Sequence, residues 1–109
     1  PDAASTRWGD ILGLYDDLIA LNPSPVIALN RAVALARVRG AADGLQAVEA
    51  LEADPTLADY YLLPSVKACL LVELGERDAA AAAYREALAR PCSEPERRFL
   101  TRRLRDCRA

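Results

Sequence analysis

Apolar residues recur along this chain at helical rather than strand spacing, and prolines and glycines cut the recurrence into six runs. From about Ser5 to Leu21, the residues Trp8, Ile11, Leu12, Tyr15, Leu18 and Ile19 fall at i, i+3, i+4 and i+7, which predicts one apolar helix face. Asn22-Pro23 ends this run, because a proline keeps the residue before it out of the α conformation. Ser24-Pro25 restarts it. Serine is a good N-cap, and proline suits the first helical position, where its missing N–H would be unpaired anyway. The second run, VIALNRAVALARV, stops at Gly40, a left-handed terminator; its Ala28, Ala32 and Ala36 fall on one line that lets a neighbouring helix approach closely.

A third helix is predicted over about Ala41 to Ala53, with Leu45, Val48 and Leu51 inward, and Asp54-Pro55 closes it. The fourth starts between Leu57 and Pro64 and runs to Leu74, with Val66, Leu70 and Leu74 on its inner line and Gly75 after it. Pro64 either opens that helix or kinks its first turns. The fifth covers about Arg77 to Arg90, with five consecutive alanines ahead of Tyr84, Ala87 and Leu88, and Pro91 stops it. Ser93-Glu94-Pro95-Glu96 is a capping box, in which Ser and Glu three apart satisfy each other's free N–H groups. It opens a last helix with Phe99 or Leu100, Leu104 and Cys107 inward. Six helices joined by short links predict an all-α fold of antiparallel neighbours.

The runs repeat. Tyr15, Leu18 and Ile19 superpose on Tyr84, Ala87 and Leu88, while Leu12, Tyr15 and Leu18 superpose on Leu45, Val48 and Leu51. Gly40 and Gly75 each precede an odd-numbered helix, 35 residues apart. Two helices per roughly 34 residues is the spacing of tetratricopeptide repeats. LGERDAAAAAYREALARP, residues 74–91, resembles one such unit, and Trp8 and Tyr15 stand seven apart as the family's Trp and Tyr do. The expected architecture is therefore one domain over 1–109, built of three tetratricopeptide-like hairpins at about 5–40, 41–75 and 76–108. Each buries its apolar face on the next in a short right-handed solenoid.

Charge sharpens the picture at one end only. The formal net charge is −2, which does not suggest nucleic acid, but residues 91–109 carry 6 Arg against 3 acids, while residues 1–90 carry 8 basic and 13 acidic side chains. Arg98, Arg102 and Arg105 fall at i, i+4, i+7 and predict one basic stripe, flanked by Arg97, Arg103 and Arg108. Such a stripe suits an acidic protein surface or DNA phosphates, or is simply the solvated face of a terminal helix. Without interleaved aromatic residues, single-stranded nucleic acid is a poor fit. Asn30-Arg31 interrupts an otherwise apolar helix. Either Asn30 ties down a loop while Arg31 pairs with Asp16 or Asp17, or the two line a concave surface that grips a partner.

Little else carries chemistry. Cys69, Cys92 and Cys107 have no CxxC spacing and the chain has no His, so neither a disulfide framework nor a zinc site is expected, and the thiols read as reduced and cytoplasmic. Asp16 and Asp17 are adjacent and point to different sides of a helix, so they form no acid/base dyad. Glu49 and Glu52 read as a solvated face, and Trp8, Tyr15 and Tyr61 as core rather than a ligand pocket. There is no Ser/His/Asp set, phosphate-cradling loop or cofactor motif, so no catalytic activity and no cofactor are expected. No apolar run reaches membrane-spanning length and no signal peptide is visible. A start at Pro1 without Met predicts a piece of a longer chain.

A more specific resemblance emerges from several stretches taken in order: SPVIALNRAVALARVRG at 24–40, GLQAVEAL at 44–51, Tyr60 and Tyr61 ahead of KACLLVELG at 67–75, AYREAL at 83–88 and ERRFLTRRL at 96–104. Together they resemble the C-terminal extension of a subgroup of ECF-type RNA polymerase sigma factors, in which tetratricopeptide-like hairpins follow the regions that read the −10 and −35 promoter elements. The resemblance implies a non-catalytic, cytoplasmic module that supports or regulates transcription initiation. Its implied partners are the sigma regions of the same parent chain, RNA polymerase, or both, with promoter DNA reached only through the missing N-terminal regions. Asn30, Arg31, Arg98, Arg102 and Arg105 are the candidate contact residues. The alternative is a free-standing tetratricopeptide adaptor that binds a peptide or protein outside transcription.

Overall fold

A computed structural model of the chain describes residues 3–108, with side chains from 7 to 107. Six helices follow in order: α1 (Ala3–Leu21), α2 (Pro25–Arg39), α3 (Ala41–Ala50), α4 (Leu62–Glu73), α5 (Arg77–Leu88) and α6 (Glu94–Arg108); one 3-10 turn, Pro55–Leu57, lies between α3 and α4. No strand occurs among the described residues. The fold is thus all-α. The chain divides into two units, Pro1–Leu57 and Ala58–Ala109.

The helix boundaries follow the punctuation. Ser24 is extended, with φ −143°, and its Oγ accepts from the Ile27 N–H at 3.4 Å while Pro25 takes the first helical position. Gly40 ends α2 at φ +107°, a conformation that favours glycine, with its N–H on the Ala36 carbonyl at 2.9 Å. Gly75 at φ +79° ends α4 in a Schellman motif, with Glu76 N–H on the Leu71 carbonyl and Gly75 N–H on that of Val72. Pro64 occupies the first turn of α4, where its missing donor costs nothing, and so opens the helix rather than kinking it. Two helices end earlier than their apolar pattern predicts. α3 gives way at Leu51, where i→i+3 hydrogen bonds take over, and the Asp54 carboxylate then accepts from both the N–H and the hydroxyl of Thr56 at 2.9 and 2.7 Å, starting the 3-10 turn. α5 ends at Leu88 rather than Arg90.

In the first unit α2 lies in the middle, packed by α1, α3 and the 3-10 turn. Leu29, Ala32, Ala34 and Ala36 of α2 are buried, together with Val48 of α3 and Leu57. The crossing with α3 is close. A Cβ on Gly44 would stand 2.5 Å from the Ala36 Cβ and 3.1 Å from the Ala32 carbonyl oxygen. The alanine line read from the sequence thus meets a glycine across the interface, and the sequence pattern had not singled that glycine out. α1 contributes Trp8, Ile11, Leu12, Tyr15 and Ile19 as half-buried residues, but Leu18, expected inward, is exposed. At this position the apolar face predicted for α1 is wider than the side α2 covers.

In the second unit α5 takes the middle place, between α4 and α6. Its Ala80, Ala81, Ala83, Tyr84 and Ala87 are buried against Leu63, Pro64, Ala68, Leu70 and Leu71 of α4 and Leu100 of α6. Leu100 rather than Phe99 is the inward residue of the last helix, and Leu74, expected inward, is exposed just past the end of α4.

The close α2–α3 crossing gives a direct test. Gly44→Ala should lower unfolding free energy by about 1–3 kcal/mol through overpacking. Gly13→Ala, where an added Cβ meets nothing within 4 Å, should raise it by up to about 1 kcal/mol through helix propensity. Urea unfolding midpoints at constant m-value measure both.

Candidate functional site

The residues singled out as contacts fall into two sets, one in each unit. Asn30 and Arg31 lie on α2. The Asn30 side chain is exposed. Arg31 is half-buried, and its Nε donates to Asp16 Oδ1 of α1 at 2.5 Å. Of the two acids expected as its partner, Asp16 is the one engaged. The pair sits in an open groove of about 560 Å³ lined also by Leu12, Leu35, Asp43 and Gln46, so it stays hydrated and contributes little beyond about 1 kcal/mol.

Arg98, Arg102 and Arg105 lie on α6, and all three are exposed. With Arg97, Glu94 and Thr101 they line a shallow groove of about 400 Å³. The other arginines of this helix do different work. Arg97 Nη1 donates to the Leu88 carbonyl at 3.1 Å, tying α6 to the end of α5. Arg103 sits 5.5 Å over the Phe99 ring and reaches back to the Tyr84 hydroxyl, itself 3.5 Å from the Cys69 sulfur. Burial pushes the Tyr84 hydroxyl well above its ordinary value, and the Cys69 hydrogen bond adds to that. Six arginines that look equivalent in sequence thus divide. Two anchor the helix, three present a one-sided positive face, and the Arg108 side chain lies outside those described.

The base of α6 is held by a network that sequence reasoning found only in part. The capping box forms: Ser93 N–H donates to Glu96 Oε1 at 2.7 Å, and Glu96 N–H to Ser93 Oγ at 3.3 Å. The second carboxylate oxygen accepts from the Tyr61 hydroxyl, 35 residues away, a contact with no local signal. Tyr61 packs edge-on against Tyr60, and Arg90 Nη1 donates to the Tyr60 carbonyl at 2.9 Å while its Nη2 binds Glu86. The Tyr61 hydrogen bond, helped by Ser93, holds the Glu96 carboxyl below its ordinary range, and the same bond raises the Tyr61 hydroxyl to about 12.

Among the described residues no group of three or more His, Cys, Asp or Glu is placed to hold a metal, and all three cysteines are free thiols. No described helix is long and apolar enough to cross a membrane.

No protein-family model matches the chain, and no solved structure matches it. An uncharacterized protein of Rhizobium meliloti is 34% identical over 99 residues, which cover 91% of this chain and 23% of that protein. The chain spans about a quarter of the length of the curated relative it matches.

The α6 latch has a pH signature. Its folded carboxyl value lies below the unfolded one, so its stabilisation is present above the unfolded value of about 4.3 and is lost as pH falls through the folded value. At the alkaline end the raised Tyr61 value acts in the opposite sense: stabilisation is complete below about 10 and fades as pH rises through about 12. In an NMR titration the Glu96 carboxyl should titrate below the ordinary glutamate range and move up in Tyr61→Phe. An unchanged value would remove Tyr61 from the latch.

Proposed function

We propose that the chain is a non-catalytic protein-interaction and regulatory module of an ECF-type RNA polymerase sigma factor. It would comprise three tetratricopeptide-like hairpins in a right-handed array that support or modulate transcription initiation in the cytoplasm. The ordered match of the stretches at 24–40, 44–51, 67–75, 83–88 and 96–104 to that family's extension supports the assignment. The length of the curated relative supports a module embedded in a larger protein over a free-standing adaptor.

One observation carries the mode of action. α6 keeps Arg97 and Arg103 for its own anchorage and leaves Arg98, Arg102 and Arg105 exposed on one face. A row of guanidinium groups on one helix face is suited to bidentate pairing with carboxylates, so the partner is an acidic surface on the sigma regions of the parent chain or on RNA polymerase. Promoter DNA is contacted by the sigma regions and not by this module. Asn30, exposed on α2, and Arg31, already paired with Asp16, form a secondary contact at most.

The test is a titration of the chain against the separately produced sigma regions of its parent protein, at low and moderate salt. Binding should weaken with salt, and an Arg98→Glu, Arg102→Glu, Arg105→Glu variant should lose at least about tenfold in affinity, as expected for several exposed charge pairs acting together. Binding indifferent to that variant would remove α6 as the contact. No binding to sigma regions or to RNA polymerase at any salt would favour the adaptor reading.

A further inference from the structure

The second unit holds a small open pocket that its own side chains do not fill. It measures about 160 Å³ and lies between the end of α4, α5 and the last turns of α6, lined by Val72, Arg77, Tyr84, Arg103, Asp106 and Cys107. A cavity of about 150 Å³ accommodates a benzene ring, so this one takes an apolar group of about six heavy atoms. Tyr84 is almost fully buried, whereas Val72 keeps 44% of its surface open. An apolar group in the pocket would cover that valine.

The charged groups of the pocket narrow what that group belongs to. Arg77 already has a partner. Arg103 is held by the Phe99 ring, the Tyr84 hydroxyl and the Cys69 sulfur, none of which is a carboxylate. Asp106, three residues further along α6, makes no ion pair among the described residues. Positions three apart on a helix are neighbours, about 5–6 Å between Cβ atoms, so Arg103 and Asp106 set a cation and an anion side by side in one pocket. A simple carboxylic acid would bring its charge beside Asp106, and a simple amine would bring its charge beside Arg103. A molecule with an ammonium and a carboxylate on one carbon meets both, with a charge-assisted hydrogen bond at each. Arg103, already held, loses little side-chain freedom on binding.

We propose that this pocket binds a free α-amino acid with an apolar side chain of about leucine size. Arg103 takes the carboxylate, Asp106 takes the ammonium, and the side chain lies against Val72 and Tyr84. The site is separate from the groove of Arg98, Arg102 and Arg105, and it does not rest on the sigma-factor reading. The two share a helix. A ligand held by Arg103 and Asp106 would tie the last turns of α6 to α4 and α5, and so would steady the helix that carries the exposed arginine row.

The experiment is an NMR titration of the isotope-labelled chain with L-leucine, beside isocaproate, isoamylamine and glycine, which lack the ammonium, the carboxylate and the side chain in turn. L-leucine should shift the amides at the end of α4 and from Arg103 to Cys107, with a Kd of about 1 mM or tighter. Each of the other three should bind at least about tenfold more weakly. Asp106→Asn should weaken L-leucine binding by at least about tenfold while leaving the urea midpoint unchanged. No saturable shift with L-leucine would overturn the inference. So would isocaproate or isoamylamine binding as tightly as L-leucine, since either leaves Asp106 or Arg103 without a role. None of these results depends on whether the protein binds RNA polymerase, so failure here is distinguishable from failure of the sigma-factor reading.

Discussion

The structure depends on how closely its helices approach. The chain has one Trp, one Phe and no Met, and alanine is the most frequent residue in its buried set, beside several leucines and Tyr84. At roughly 25 cal/mol per Å² an alanine methyl stabilises little by itself. It becomes useful when helix backbones come near enough for the methyls and the main chain to exclude water together. The crossing of Ala32 and Ala36 with Gly44 is that condition in its tightest form, since even one added carbon has no room. The same logic puts the alanine-rich helices α2 and α5 in the middle of their units, where small residues can be used on more than one side.

From that constraint the outer helices inherit their character. α1 and α6 each face solvent or partners on much of their surface, and the sequence spends that surface differently. α1 keeps it apolar, with Leu14, Leu18 and Leu21 exposed beside Asp10 and Asp17; α6 makes it cationic, with Arg98, Arg102 and Arg105. α6 is also the helix held by specific polar contacts. Its capping box and the Tyr61 hydroxyl fix its start, and Arg97 and Arg103, although exposed, reach back to α5.

Much of the fold was legible because it is written in local rules. Pro23, Gly40, Gly75 and Pro91 set helix ends, Ser24 and Ser93 set helix starts, and the Arg31–Asp16 pair followed from charge and reach. What local pattern could not give depends on residues distant in sequence. Leu18 and Leu74 carry the right spacing for burial, yet both stay substantially exposed. Gly44 reads as an ordinary helix residue until Ala36 is placed against it. The joining of Tyr61 to Glu96, and the contacts that Arg97 and Arg103 make with α5 while the equally exposed Arg98, Arg102 and Arg105 line a groove of their own, are tertiary facts that one-dimensional spacing does not encode.

The proposed role is that of a recognition module within a longer protein, and the most direct measurement of it is transcription itself. In a reconstituted assay with RNA polymerase and a promoter of the parent protein, the intact longer protein should direct transcription, and removing residues 1–109 should change the yield or the polymerase affinity. Absence of promoter-dependent transcription from the intact protein, or identical transcription and affinity with and without the module, would contradict it.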